Sequence, residues 1–236
     1  MLDGEPFDER TSSLDWFYER LRAGAVATTS QPSPAEFARA YERAAARGAR
    51  SVLSIHLDSR VSGIVASAEL AAREAGIPVK VVDTRTISFG VSLCVRAAVE
   101  ATAAGGLVAD AALAASRLGA VLENAFVALR GPGGRVPEAT TWTVFRFMGG
   151  AALRMFECVS VAEAVGRMAS LALDREEQLS VAVGHAGRTV EAAATDLVQR
   201  LGRSERVLAV ERYRVGASVG AHTGPDSFGV FWWPTP

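Results

Sequence analysis

Short apolar runs alternate with amphipathic stretches of helical period along the first half of the chain. Ser33, Pro34 and Glu36 supply an N-cap, a first-turn proline and a capping-box acid, which predicts a helix to about residue 47, ending at Gly48. Residues 51–56 form an apolar, β-branched run that reads as a buried strand. A helix follows over 62–75 with Gly76 just past its end. Residues 78–83 form a second buried strand, and 91–104 a further helix closed by Gly105-Gly106. Strand, helix, strand, helix at this spacing predicts right-handed βαβ units and a parallel sheet. The polar loops 58–63 and 84–90 then fall beyond the carboxyl ends of parallel strands, where such sheets bind ligands.

The flanks differ. Residues 14–23 are amphipathic, with Leu14, Phe17 and Leu21 on one face. After residue 106 a helix (108–118) leads to a strand (125–129), the turn Gly131-Pro132-Gly133-Gly134-Arg135, and an aromatic alternation over 140–148. A helix (159–173), a strand (179–184) ending at His185, a helix (190–201), a strand (207–210) and a Gly-rich loop (216–225) follow. This broken rhythm predicts a second, α+β unit. The expected fold class is therefore α/β, with a parallel-sheet, Rossmann-like N-terminal domain over 1–118 and a C-terminal α+β domain over 119–236.

Composition narrows the function. The chain is 49% hydrophobic and 22% charged, with a net charge of -1, an ordinary globular balance that gives no electrostatic case for nucleic acid. Lys80 is the only lysine among 25 basic residues, so any single arginine carries little functional weight. Cys94 and Cys158 have neither metal-ligand spacing nor the makings of a disulfide framework. The first ten residues are acidic rather than apolar, and charges interrupt every apolar run well short of a membrane span. The expected location is cytoplasmic.

Two motif matches fail on their chemistry. Gly216-Ala217-Ser218-Val219-Gly220 fits a nucleophile elbow, but such hydrolases place their acid and histidine well downstream of the serine. Gly131–Gly134 lacks dinucleotide-fingerprint spacing, and no Walker pattern occurs. Of the histidines, His56 reads as structural within its strand, His185 is open between the two roles, and His222 sits among small residues that let a ligand approach closely. What accumulates instead is hydroxyls: Thr29, Ser30, Ser59, Ser62, Thr86, Ser88 and Thr223, most of them in loops before helices. Capping explains some of these. Together they would make a neutral cradle for one carboxylate or phosphate, suited to presenting an anion rather than to hard chemistry on it.

Several stretches resemble the DegV family, which includes the fatty-acid-binding subunits of bacterial fatty acid kinases. They are Thr28-Thr29-Ser30-Gln31-Pro32-Ser33-Pro34, Ser59-Arg60-Val61-Ser62-Gly63, Val82-Asp83-Thr84 with Ser88 and Gly90, Gly133-Gly134-Arg135-Val136, and His222-Thr223-Gly224-Pro225. They occur in family order across nearly the whole chain. The resemblance implies a two-domain protein, not itself an enzyme, that encloses a long-chain fatty acid such as palmitate between its domains. It would present the carboxylate to a separate ATP-dependent kinase subunit, which forms the acyl phosphate for phospholipid metabolism. The implied carboxylate-binding residues are Thr29, Ser30, Ser62, Gly63, His222 and Thr223, with Ser88 and Arg135 as further candidates. No metal, cofactor or catalytic residue is implied. The implied partners are the fatty acid and the kinase, with a transient membrane contact for loading, and no nucleic acid. Burying an acyl tail at about 0.8 kcal/mol per methylene supplies gross affinity on the order of 10 kcal/mol, so the head group need only be oriented.

The chain also departs from the family pattern. The family's opening strand, ending in Asp-Ser roughly thirty residues before the Asp3-Gly4 match, is lacking, which implies an N-terminally truncated first domain. Ile64 stands where the family usually has Thr, and Asp226 where it usually has Gly. The tail Phe231-Trp232-Trp233-Pro234 either reshapes the pocket or packs on the surface. Two other readings stand beside the lipid carrier: a phosphoryl- or acyl-transfer enzyme using His222 with Ser62, and a degenerate paralogue that binds nothing.

Overall fold

The computed structural model describes residues 1–128 and 142–235. It is mixed α/β, with eight α-helices and two sheets among the described residues. Two compact units emerge. One comprises residues 30–122 with 149–151; the other comprises 1–29, 123–148 and 152–236. This division differs from a single cut between 118 and 119: the first 29 residues pack with the C-terminal half.

In the 30–122 unit, α2 (Pro34–Ala46) begins with the expected capping box, the Ser33 side chain accepting from Glu36 N and Glu36 accepting from Ser33 N. β1 (Val52–His56) and β2 (Val79–Asp83) pair in parallel through α3 (Ile64–Arg73). Leu53, Ile55 and Val82 face a core built with Cys94, Ala98, Ala111, Ala112 and Ala115 of α4 (Phe89–Ala103) and α5 (Val108–Val121). Alanine at these positions lets both helices lie close to the two strands. On the other face the Tyr41 hydroxyl donates to Ser54 Oγ at 3.0 Å, and His56 meets Phe37 edge-on at 5.2 Å. α3 ends at Arg73, capped by Glu74 at φ -107°, and Gly76 has no positive φ, so the expected glycine stop does not form.

In the other unit, α1 (Leu14–Arg22) buries Phe17 and Leu21 as its period predicts, and Tyr18 with them. The six-stranded sheet has the order β5-β4-β3-β8-β6-β7. Its members are β3 (Glu123–Val127), β4 (Trp142–Met148), β5 (Ala151–Cys158), β6 (Leu179–His185), β7 (Val207–Arg214) and β8 (Phe228–Pro234). α6 (Val161–Leu173) and α7 (Glu191–Gly202) cover one face, enclosing Val127, Val144, Met168, Leu179, Leu197, Leu201, Phe228 and Trp232. The 231–234 tail is therefore not surface decoration. It is strand β8, antiparallel to both β3 and β6, with Trp232 only 1% exposed. β5 and β8 are the two strands that hydrophobic patterning does not predict.

One row across this sheet fixes its register. Phe145, Phe126, Gly229, Gly184 and Tyr213 stand opposite one another in turn on β4, β3, β8, β6 and β7. Two central glycines are thus flanked by aromatic rings. A Cβ on Gly184 would sit 2.2 Å from Tyr213 Cζ, and one on Gly229 would sit 2.7 Å from both Ala125 O and Phe126 Cβ. The tyrosine ring can swing aside, whereas the Ala125 carbonyl is held in a ladder. Gly229→Ala is expected to cost about 1–3 kcal/mol by overpacking, and Gly184→Ala less, as measured by urea unfolding.

Candidate functional site

The expected carboxylate ligands fall in both units, and each group is built by its own local chemistry. In the unit containing β8, the Gly-rich stretch is not a loop: residues 217–223 form the short helix α8 (Ala217–Thr223), N-capped by Gly216. This also disposes of the nucleophile-elbow match, because Ser218 lies in helix rather than on a strand-to-helix turn. His222 occupies the last turn, where its side chain is exposed. Its Nε2 lies 2.9 Å from Thr29 Oγ1, a residue 193 positions earlier that leaves α1 through a short extended segment. Thr223 Oγ1 pairs with Ser227 Oγ at 2.8 Å, and Ser227 donates to Gly224 O, which closes the turn behind the helix.

The Thr29–His222 pair leaves a donor free in either tautomer. If Nε2–H donates to Thr29 Oγ1, the threonine hydroxyl can donate outward. If the hydroxyl donates to Nε2, the proton sits on Nδ1 and can donate instead. An exposed pair of this kind can orient an oxyanion without carrying a fixed charge.

In the 30–122 unit, Ser62 Oγ accepts from Ile64 N at 3.3 Å at the start of α3, and Gly63 is the N-cap. Gly63 packs closely against Gln31: a Cβ at 63 would lie 2.6 Å from Gln31 Oε1 and would push that side chain aside. Gln31 is held in turn by Ser67 Oγ, 3.0 Å from Nε2. Sequence reasoning placed Gln31 in its motif without giving it a role; its contact with Gly63 is what joins the Ser30-Gln31 loop to the Ser62-Gly63 loop. Ser30 is exposed beside it.

The loops beyond β1 and β2 are cross-tied. Ser59 Oγ donates to Asp83 Oδ2 at 2.6 Å, Asp58 N to Thr86 O at 2.9 Å, and Thr84 Oγ1 to His56 O at 2.8 Å. Ser88 precedes α4 at φ 53°, ψ -135°, a conformation natural to glycine that costs a serine on the order of 1–3 kcal/mol. Thr86 Oγ1 is buried without a hydrogen-bond partner. Arg135 and the Gly133-Gly134 motif lie outside the described residues.

Burial pushes the His56 and His185 pKa values down. His56 Nε2 lies 2.7 Å from Ser54 Oγ, and His185 Nδ1 donates to Gly187 O at 3.2 Å. Each ring is thus hydrogen-bonded to a residue two positions away, within β1 for His56 and just past the end of β6 for His185. Asp58 is fully buried and accepts from Arg60 Nε, Nη2 and N at 2.9, 2.6 and 2.8 Å. The guanidinium holds its carboxyl below the usual range against the opposing effect of burial. A carboxylate more acidic in the folded chain than in the unfolded one contributes stability above the unfolded pKa of about 3.9 and loses it as pH falls through the folded value. The stability gap between the wild type and Asp58→Asn should therefore be full at pH 7 and shrink below about pH 4, as read from urea midpoints.

Among the described residues no cluster of His, Cys, Asp and Glu could hold a metal ion, and no helix is long and apolar enough to cross a membrane.

The family model described as "Uncharacterised protein, DegV family" matches residues 1–128. A DegV domain-containing protein of Streptomyces coelicolor is 35% identical over 228 residues, covering 90% of this chain and 80% of the relative. Among solved structures, a fatty-acid-binding DegV family protein from Thermus thermophilus superposes with a TM-score of 0.82 at 28% identity, covering 95% of this chain and 85% of that one. The Streptococcus pneumoniae fatty acid kinase B3 protein, loaded with linoleic acid, shares the fold alone, with a TM-score of 0.80 at 15% identity over 95% of this chain and 85% of its own. With more than half its length matched by the family model, and a relative aligned along most of both chains, this protein belongs to the DegV family.

Proposed function

We propose that the chain binds a long-chain fatty acid through its carboxylate and, without chemistry of its own, presents that carboxylate to a separate ATP-dependent kinase. The observation that carries the reading is the 2.9 Å contact between Thr29 Oγ1 and His222 Nε2, an exposed hydroxyl–imidazole pair assembled from opposite ends of the sequence. A carboxylate held by such a pair is oriented yet keeps its nucleophilic oxygen accessible, as phosphoryl transfer from a partner requires. Thr223, in the same unit, and Ser30, Ser62, Gly63 and Ser88 of the 30–122 unit are further candidates for carboxylate contacts. The fatty-acid binding of the Thermus thermophilus relative supports the ligand class. The kinase partner is supported more narrowly, by the kinase name of the Streptococcus pneumoniae fold neighbour.

The test is direct. Protein purified from cells is extracted and the extract analysed by mass spectrometry, and delipidated protein is titrated with palmitate. Co-purified long-chain fatty acid and saturable one-to-one binding are the expected results. An extract free of fatty acid together with no palmitate binding overturns the reading. Presentation to a kinase is read separately, as acyl-phosphate formation that needs both ATP and a kinase subunit from the same cell.

A further inference from the structure

We propose that Arg22 and Asp226 are positioning residues for His222, an inference that rests on the head-group reading above. α8 has only seven residues, with a glycine inside it, so its own propensity does not hold it in place. Side chains from residues 1–29 hold it instead, at three points. At its start Glu9 Oε2 accepts from Ala217 N at 2.6 Å, a carboxylate at the positive end of the helix. Midway, the Tyr18 hydroxyl donates to Val215 O at 2.6 Å and lies against Gly220, where a Cβ would come within 2.5 Å of it. Beyond its end, Asp226 accepts from Arg22 Nη2 and from Thr189 Oγ1, the latter at 2.7 Å.

The same N-terminal segment then delivers Thr29 to His222. His222 thus sits between the tie at Tyr18 and the tie at Asp226, four residues further on. The Arg22–Asp226 pair sets where the chain leaves α8, and with it the direction in which the last helical turn points the imidazole. Both partners are partly exposed, with side-chain exposures of 45% and 21%, so their effect on global stability is small and separable from their effect on His222.

The experiment uses nitrogen-15 spectra of the His222 ring in ligand-free protein, with palmitate affinity measured on the same samples. Arg22→Ala and Asp226→Ala should each move the ring-nitrogen signals to those of a Thr29→Val variant, with the double variant adding nothing further. Palmitate affinity should fall about tenfold, as expected for a lost hydrogen bond to a charged group. Melting temperature should fall by no more than a few degrees. Arg22→Lys should restore most of the ring signature. Ring signals unchanged in both alanine variants overturn the inference, as does a failure of Arg22→Lys to restore them in a folded protein. Because the ring is read without lipid, a protein that loses the Thr29–His222 contact on substitution but never binds palmitate would refute the lipid reading and leave the positioning role standing.

Discussion

Truncation of Trp232 to alanine is expected to cost about 3–5 kcal/mol, a large share of a typical domain's stability of 5–15 kcal/mol. The indole is 1% exposed, belongs to the main core cluster, and lies beneath the Arg146 guanidinium with 5.3 Å between Cζ and the ring centroid. Trp232→Phe should cost much less, under about 1.5 kcal/mol, because the buried Nε1–H has no acceptor to lose. Urea unfolding followed by circular dichroism distinguishes the two variants. A change within about 0.5 kcal/mol for the alanine variant would mean that the 231–234 segment is a surface appendage after all.

The second large effect concerns the head-group pair. Thr29→Val and His222→Ala should each weaken palmitate binding by about 10- to 100-fold, the worth of one hydrogen bond to an ionised acceptor. Thr29→Ser, which keeps the hydroxyl, should stay near wild-type affinity. Since the two side chains are in contact, the double variant should lose less than the sum of the single losses, measured by displacement of a fluorescent fatty acid. Full affinity in Thr29→Val would remove this residue from the site.

How far the sequence could be read depended on whether each signal was local. The capping box at Ser33 and Glu36, the apolar runs of β1 and β2, and the stripe of Phe17 and Leu21 all act within one or two turns of chain, and all three led to the observed elements. α8 was hidden because Gly216, Ser218, Gly220 and Thr223 have loop composition, and what keeps this stretch helical is tertiary: Glu9, Tyr18 and Arg22. β8 was hidden because three consecutive bulky aromatics show no period of two, since the strand is buried on both faces between β3 and β6. The Thr29–His222 contact spans 193 residues. No spacing rule reaches that far, and only the family resemblance named both residues for one site. Gln31 and Asp226 escaped for the opposite reason: Gln31 stands within a motif and Asp226 directly after one, but the role of each lies in a partner, Gly63 or Arg22, that a motif does not show.

The position of β8 also has a kinetic side. Its neighbours β3 and β6 are synthesised well before it, and until residues 228–234 leave the ribosome those two strands lack the partner that joins them. The larger sheet cannot close progressively during translation. It must wait with two bare strand edges, an arrangement that slows folding and invites pairing with other chains. By contrast, β1 and β2 pair across a short α3 crossover and can be complete while the rest of the chain is still being made.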